Sequence, residues 1–227
     1  MKKLLLALIL SSVSFVNVQA AECVAKAPRG TVWKECLNAR ANTAVDQYML
    51  DNAGDLYSYI GRINRICQVT SRVKNMKVSM HPNDAAVLYF EKDGNLFDAN
   101  EVRIASQQCP QMKTKELMAG VEKYSVVGNS NTTVVNMALS KSGEFIAWDN
   151  NQAIYKDIGV KDYLVNSSNY GVPRAPFTTF VAFTLGYDSK ITKIKGHAAQ
   201  GGMLVKSSDD PGYYVSIQEF KAKHGIR

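Results

Sequence analysis

The sequence is poor in residues that make recognisable chemistry. It has three histidines, His81, His197 and His224, and none belongs to a His-Glu-x-x-His or to any closely spaced His pair. That removes the usual catalytic-zinc pattern. No Gly-x-Ser-x-Gly occurs, so the nucleophile elbow of the α/β-hydrolases is missing. Four cysteines, Cys23, Cys36, Cys67 and Cys109, stand 13, 31 and 42 positions apart. Structural zinc and dithiol redox sites both want close cysteine pairs. No metal and no cofactor is expected. After residue 20 no apolar run approaches the roughly 20 residues that a membrane-crossing helix needs, so no transmembrane segment is expected in the mature chain.

What is present begins with a leader. Met1-Lys2-Lys3 is followed by an apolar run from Leu4 to Leu10 and by Val18-Gln19-Ala20. A basic start, a short apolar stretch and a small-x-small close are the parts of a secretory signal. Cleavage is expected after Ala20, which makes the protein periplasmic or secreted. Glu22, directly before Cys23, argues against lipid attachment there. The formal charge is +7, and losing Lys2 and Lys3 with the leader takes it to +5. The basic residues are scattered, with one cluster at Lys221-Ala-Lys223-His224-Gly-Ile-Arg227. A thin, dispersed charge of this kind is screened beyond about 8–10 Å, and no nucleic-acid partner is expected.

An even cysteine count in an oxidising compartment implies two disulfides. Residues 32–50 and 54–72 read as helices: Leu56, Ile60, Ile63 and Cys67 recur at intervals of 4, 3 and 4, which places them on one helical face. Asp51-Asn52-Ala53-Gly54 between them is turn chemistry. Folding there sets Cys36 level with Cys67, since their midpoint falls at 51.5. The expectation is a Cys36–Cys67 bond with Cys23–Cys109. Cys23–Cys36 with Cys67–Cys109 is the alternative.

From about residue 75 the pattern becomes strand-like. Ala86–Phe90, the turn Glu91–Asn95 and Leu96-Phe97 read as a hairpin. Val134–Leu139, Phe145–Trp148 and Ala153–Tyr155, separated by polar turns, read as further strands, and Met203–Val205 and Tyr213–Val215 echo them. Overlaying Tyr89 on Trp148 and Leu96 on Ile154 gives offsets of 59 and 58. This resembles a degenerate repeat, although any two hairpins look alike once turn and alternation are imposed. A short helix is expected over 113–124, with Leu117, Val121 and Tyr124 on one face. A helix followed by a strand ending in Asp-Gly, within residues 84–98, resembles extracellular sensor domains of the Cache or PAS type; no ligand-binding residue is carried over. The fold expected is α+β: a signal over 1–20, a disulfide-clamped helical hairpin over 21–74, and a mainly antiparallel β region over 75–227, packed as one domain. A propeller-like or barrel-like β domain with a helical N-terminal extension is the alternative.

Candidate chemistry is sparse. Ser71-Arg72-Val73-Lys74 has Ser-x-x-Lys spacing, but the accompanying triplets fall in the wrong order for penicillin-binding proteins. Glu91-Lys-Asp93-Gly-Asn95-Leu-Phe-Asp98 alternates oxygens like a calcium loop, yet its glycine is fourth rather than sixth, and Val102 holds the twelfth place. Asn131 and Asn166 head glycosylation sequons. His197 sits in a small-residue loop able to approach a ligand. Tyr170, Tyr213 and Tyr214 lie in turn-rich segments suited to recognition. The function expected is an exported, non-enzymatic binding domain for an envelope polymer or protein. A small hydrolase with His197 as base is the alternative, and an enzyme is the less favoured of the two.

Overall fold

The computed structural model describes residues 22–39, 44–80, 86–102, 109–127, 135–149, 152–166, 179–197 and 204–226. Among them the chain is almost all β. Four antiparallel sheets of four strands follow one another, each a meander taking its strands in chain order. Sheet 1 is β1 (Trp33–Asn38), β2 (Gln47–Asp51), β3 (Leu56–Ile60) and β4 (Arg65–Thr70). Sheet 2 is β5 (Val73–Met80), β6 (Ala86–Lys92), β7 (Asn95–Val102) and β8 (Gln111–Met118). Sheet 3 is β9 (Val121–Val127), β10 (Val135–Ser140), β11 (Phe145–Asp149) and β12 (Gln152–Asp157). Sheet 4 is β13 (Val160–Asn166), β14 (Thr179–Gly186), β15 (Lys190–His197) and β16 (Leu204–Tyr213), followed by the helix α1 (Ile217–Lys223).

This overturns the α+β expectation. Residues 33–70 form a sheet rather than a helical hairpin. In β3, Leu56, Ser58 and Ile60 are buried while Tyr57 and Tyr59 are half-buried, a period of two. The four-residue step from Leu56 to Ile60 is even, so it satisfies both periods. Only Ile63 pointed uniquely to a helix, and it belongs to a 3-10 turn, Gly61–Ile63. Tyrosine and β-branched content settles such a tie toward strand. Residues 113–124 likewise form β8 and β9, reversing at Gly120 with φ +59°. The expected hairpins over 86–97 and 134–155 are present as β6–β7 and β10–β11–β12. The propeller-like or barrel-like alternative fits the repeated sheets, but not its helical extension, because that stretch is itself the first sheet.

The disulfides are Cys23–Cys36 and Cys67–Cys109. The expected Cys36–Cys67 bond fails for a geometric reason. Cys36 is on β1 and Cys67 on β4, the two edges of one sheet. Three strand spacings put them roughly 14 Å apart, beyond the 7 Å Cα separation a disulfide can span.

The cores lie between successive sheets. Tyr48, Leu50 and Leu56 meet Met76, Leu88 and Phe90 between sheets 1 and 2. Tyr89, Leu96 and Met118 meet Tyr124 and Trp148 between sheets 2 and 3. Met137, Phe145 and Ala147 meet Tyr163, Ala182 and Ile194 between sheets 3 and 4. Each terminal sheet then needs its outer face covered. On sheet 1 the segment before β1 does this: Cys23 is bonded to Cys36, the Trp33 indole N–H donates to the Ala25 carbonyl at 2.6 Å, and buried Gln47 bonds Val24 N–H, the Glu22 carbonyl and Asn38. On sheet 4, α1 packs Ile217 and Phe220 with Tyr214 over Phe183, Leu185 and Ile191.

One joint recurs at each of the three sheet boundaries and again where the chain leaves sheet 4. The turn between the second and third strands ends in a residue with positive φ: Gly54 (+88°), Gly94 (+80°), Gly143 (+84°) and Ser189 (+62°). Its carbonyl accepts the N–H of the next unit's first buried residue: Val73 at 2.8 Å, Val121 at 2.7 Å, Val160 at 3.0 Å and Tyr214 at 2.8 Å. Two positions after each such turn residue stands a fully buried side chain, Leu56, Leu96, Phe145 or Ile191. The structural repeat therefore runs Gly54, Gly94, Gly143, Ser189, and the 59-residue overlay was out of phase: Tyr89 is on the second strand of its sheet and Trp148 on the third.

Candidate functional site

First strands of neighbouring sheets lie side by side, and each opens alike: Trp33-Lys34-Glu35, Val73-Lys74-Asn75, Val121-Glu122-Lys123 and Val160-Lys161-Asp162. From every one a lysine reaches a main-chain oxygen of the next unit. Lys34 Nζ donates to the Lys74 carbonyl (2.7 Å), Lys77 to Tyr124 (2.8 Å), Lys123 to Tyr163 (2.6 Å) and Lys161 to Val215 (3.0 Å). The Lys77 and Lys123 ammonium groups also lie 4.6 Å from the Tyr124 and Tyr163 ring centroids. Burial pushes both phenols up. Burial also pulls the Lys77 ammonium below its ordinary value, with Lys123 adding to the effect and Glu35 opposing it. Glu35 is raised by burial against the pull of Lys34 and Lys77.

A hollow of about 330 Å³ opens along this row, lined by Lys123, Lys161, Asp162 and Ser216 among others. Apart from Glu122, its charged groups are held by neighbours. Lys123 pairs with Asp162 at 2.8 Å, Lys161 holds the Val215 carbonyl, and Ser216 caps α1 by accepting from Glu219 N–H. The row ties sheets together and leaves little to offer a ligand.

A second hollow, about 530 Å³, lies where the β12–β13 and β14–β15 turns meet. Going outward along one face of β14 and β15, the side chains change character. Ala182 opposite Ile194 belongs to the core; next comes Thr184 opposite Thr192, and then Gly186 and Lys190 beside the turn. Asp157 and Asp188 flank the opening. Asp157 is held by Ile158 N–H (2.9 Å) and the Tyr155 hydroxyl (3.3 Å), and Asp188 by Lys190 N–H (3.1 Å). On the rim stand two large exposed apolar side chains, Ile158 (77 %) and Tyr187 (64 %). The Tyr187 ring rests over Gly143: a Cβ there would lie 3.0 Å from its Cε2.

The residues singled out from sequence are scattered by the fold. His197 ends β15 opposite Thr179, and Tyr213 ends β16 opposite Lys190. They mark opposite ends of β15, roughly 23 Å apart. Tyr213 thus neighbours the second hollow through its main chain and His197 does not. Tyr214 is buried in the α1 cap, its hydroxyl 2.8 Å from His224 Nε2. Tyr170 lies outside the described residues, as do His81, Asn131 and the signal. Ser71 falls in the β4–β5 turn, and Lys74 on β5 pairs with Glu91 at 3.0 Å. Asp93-Gly94 is the β6–β7 turn, with Asp93 paired to Arg72 at 3.0 Å. Among the described residues no group of three His, Cys, Asp or Glu is placed to hold a metal, and no helix is long and apolar enough to cross a membrane. Tyr187 and Ile158 were missed. The available signal was an aromatic and an isoleucine inside Gly-rich turns, Asp157-Ile158-Gly159 and Gly186-Tyr187-Asp188, where solvent-facing residues are the rule.

No family model matches the chain, and no curated protein matches it. Among solved structures the chain is similar to the N-terminal domain of Nup159, with 11 % identity and a TM-score of 0.22, over 75 % of this chain and 64 % of that one. Likeness at that level carries no argument about fold or function. Among the described residues the class that stands is a nearly all-β arrangement of four repeated antiparallel sheets, with two disulfides that suit an oxidising compartment.

Proposed function

We propose that the chain is an exported, non-enzymatic interaction domain whose partner sits in the second hollow, between the β12–β13 and β14–β15 turns. One observation carries this reading: Tyr187 and Ile158 stand exposed on the rim of a concavity of about 530 Å³. Binding sites are concave and pair a few apolar anchors with fixed polar groups, and tyrosine is a frequent anchor. Export rests on the leader over residues 1–20, with cleavage after Ala20 into the periplasm or medium. The disulfides support it, since a reducing cytosol disfavours them.

The test is retention. Purified mature protein, immobilised and washed with envelope extract at low salt, is expected to retain a component that an Ile158→Asp, Tyr187→Ala double variant does not. Equal retention by both proteins overturns the site. Mass spectrometry of material from the export host, finding Met1 attached and free thiols, overturns the compartment.

A further inference from the structure

Resting on that reading, we infer that the rim of the second hollow docks a protein segment carrying arginine or lysine beside an aliphatic side chain. The repeat itself supplies the comparison. Tyr187 stands two positions before the turn residue Ser189, and the equivalent places in the other sheets hold Asn52, Lys92 and Lys141. Ile158 stands two positions before Val160, where Val73 and Val121 have Ser71 and Ala119. Val215 follows Tyr214, where the other first buried residues are followed by Lys74, Glu122 and Lys161. Main-chain bonds hold these segments of sheet 4 together: Tyr187 N–H donates to the Gly159 carbonyl at 2.9 Å and Tyr214 N–H to the Ser189 carbonyl at 2.8 Å. Tyr187, Ile158 and Val215 are three of the five large apolar side chains exposed among the described residues. The joint is built elsewhere with polar or small residues at the same places, so it does not require them. Only around sheet 4 are all three places large and apolar, and such a group in water marks a contact surface.

The charge beside these side chains selects the partner. Asp157 and Asp188 flank the opening on its two turns. Ile158 N–H and the Tyr155 hydroxyl fix Asp157, and Lys190 N–H fixes Asp188. These donors are neutral, so they orient the carboxylates and leave their charge in place. Among the described residues neither carboxylate takes part in an ion pair. Lys190 also lines the opening, which sets two carboxylates against one ammonium on a chain of +7. A guanidinium or ammonium on the partner completes the pairing, and the N–H fork of arginine fits a carboxylate best. An acidic segment or an anionic membrane surface would meet like charge there. Tyr187 and Ile158 then receive the partner's aliphatic side chain.

The experiment is isothermal titration of the mature, disulfide-bonded protein at low salt with three blocked octapeptides. One alternates leucine and arginine, one serine and arginine, and one leucine and glutamate. The first is expected to bind at millimolar concentration or below, and each of the others about tenfold more weakly. The chain is positive overall, so bulk attraction favours the glutamate peptide and a preference for arginine reports the local charge. Tyr187→Ala is expected to weaken the leucine–arginine peptide about fivefold or more. Asp157→Asn with Asp188→Asn is expected to remove its preference over the leucine–glutamate peptide. Asparagine keeps an oxygen for the N–H donors, and circular dichroism checks folding. Should the double variant unfold, the three peptides on wild type and Tyr187→Ala still decide. Lys92→Ala, at the place in sheet 2 equivalent to Tyr187, is expected to change nothing. The inference is overturned if the leucine–arginine peptide fails to bind, if either other peptide binds as tightly, or if Tyr187→Ala has no more effect than Lys92→Ala. Should the peptides fail while envelope retention still depends on Tyr187 and Ile158, the basic partner falls and the interaction reading survives. Loss of that dependence removes both.

Discussion

The two ends of this stack of sheets meet the same requirement by different means. Sheet 1 has its outer face covered by an irregular segment that is covalently fixed through Cys23–Cys36, and Cys67–Cys109 links its far edge to the exposed segment before β8 of sheet 2. Sheet 4 is covered by seven helical residues held without any covalent link, by packing, the Ser216 cap and hydrogen bonds such as Tyr214–His224. Repeated sheets bury one another, so only the terminal ones need such covers. An irregular segment buries little and is steadied by cross-links. A helix with Ile217 and Phe220 facing the sheet carries its own apolar stripe. The covalent end should therefore depend on redox state and the helical end should not.

The largest effect expected is from removing that dependence. Cys67→Ser with Cys109→Ser opens a loop with a separation of 42 residues and should cost about 4 kcal/mol. The Cys23–Cys36 pair, with a separation of 13, should cost about 3 kcal/mol. Urea melts give the totals. Amide exchange decides the comparison, because protection should fall in β1–β4 first while β13–β16 hold. At the other end, Phe220→Ala should cost about 3 kcal/mol and reverse that order of opening, with the same loss in oxidised and reduced protein. Gly143→Ala probes the recurrent joint. It forces a side chain into positive φ, with Val160 O and the Tyr187 ring each 3.0 Å away, and should cost about 2 kcal/mol. Gly94→Ala, where the space is open, should cost about 1 kcal/mol. Ser216→Ala removes the α1 cap for about 1 kcal/mol.

The smallest effect is a pH dependence in the lysine row. Burial raises the Glu35 carboxyl above 4.5, so the folded chain holds that proton more tightly than the unfolded one. Its contribution to stability is fully present below pH 4.5 and is lost as pH rises through the raised value. Wild type should gain on Glu35→Gln as pH falls from 7 toward 4.5, measured as the difference in melting temperature. A gap that narrows in the opposite direction would reverse the assignment.

The hairpins of sheets 2 and 3 were legible because turn and alternation are local: Asp93-Gly94 between Phe90 and Leu96 states both. Sheet 1 was not. Its apolar residues sit at Leu56 and Ile60 with Ser58, a buried polar residue, in the place where alternation would have shown. The true repeat was written in residues that aromatic matching passes over: a positive-φ residue before valine at the sheet starts, Arg72-Val73, Gly120-Val121 and Gly159-Val160, and Gly54, Gly94 and Gly143 at the turns. The α1 cap was readable as Ser216-Ile-Gln-Glu219, since Ser-x-x-Glu marks a helix start. The hollow beside Tyr187 was not readable, because its two walls come from turns that are brought together by the β13–β14 pairing, where Val160 stands opposite Gly186 and the Tyr187 N–H bonds the Gly159 carbonyl.

The recurrent joint also divides the molecule into a fixed and a variable pole. Every carbonyl-to-amide tie between sheets lies at the pole holding the turns before β3, β7, β11 and β15, where the links from one sheet to the next are residues 71–72, 119–120 and 158–159. The strand ends that bound the first connection within each sheet, Asn38 and Gln47, Met80 and Ala86, Val127 and Val135, Asn166 and Thr179, lie at the opposite pole, and the number of residues between them differs from sheet to sheet. Foreign peptide grafted into those connections should leave the stacking register intact, whereas a single residue added at Gly54, Gly94 or Gly143 would put two sheets out of step at once.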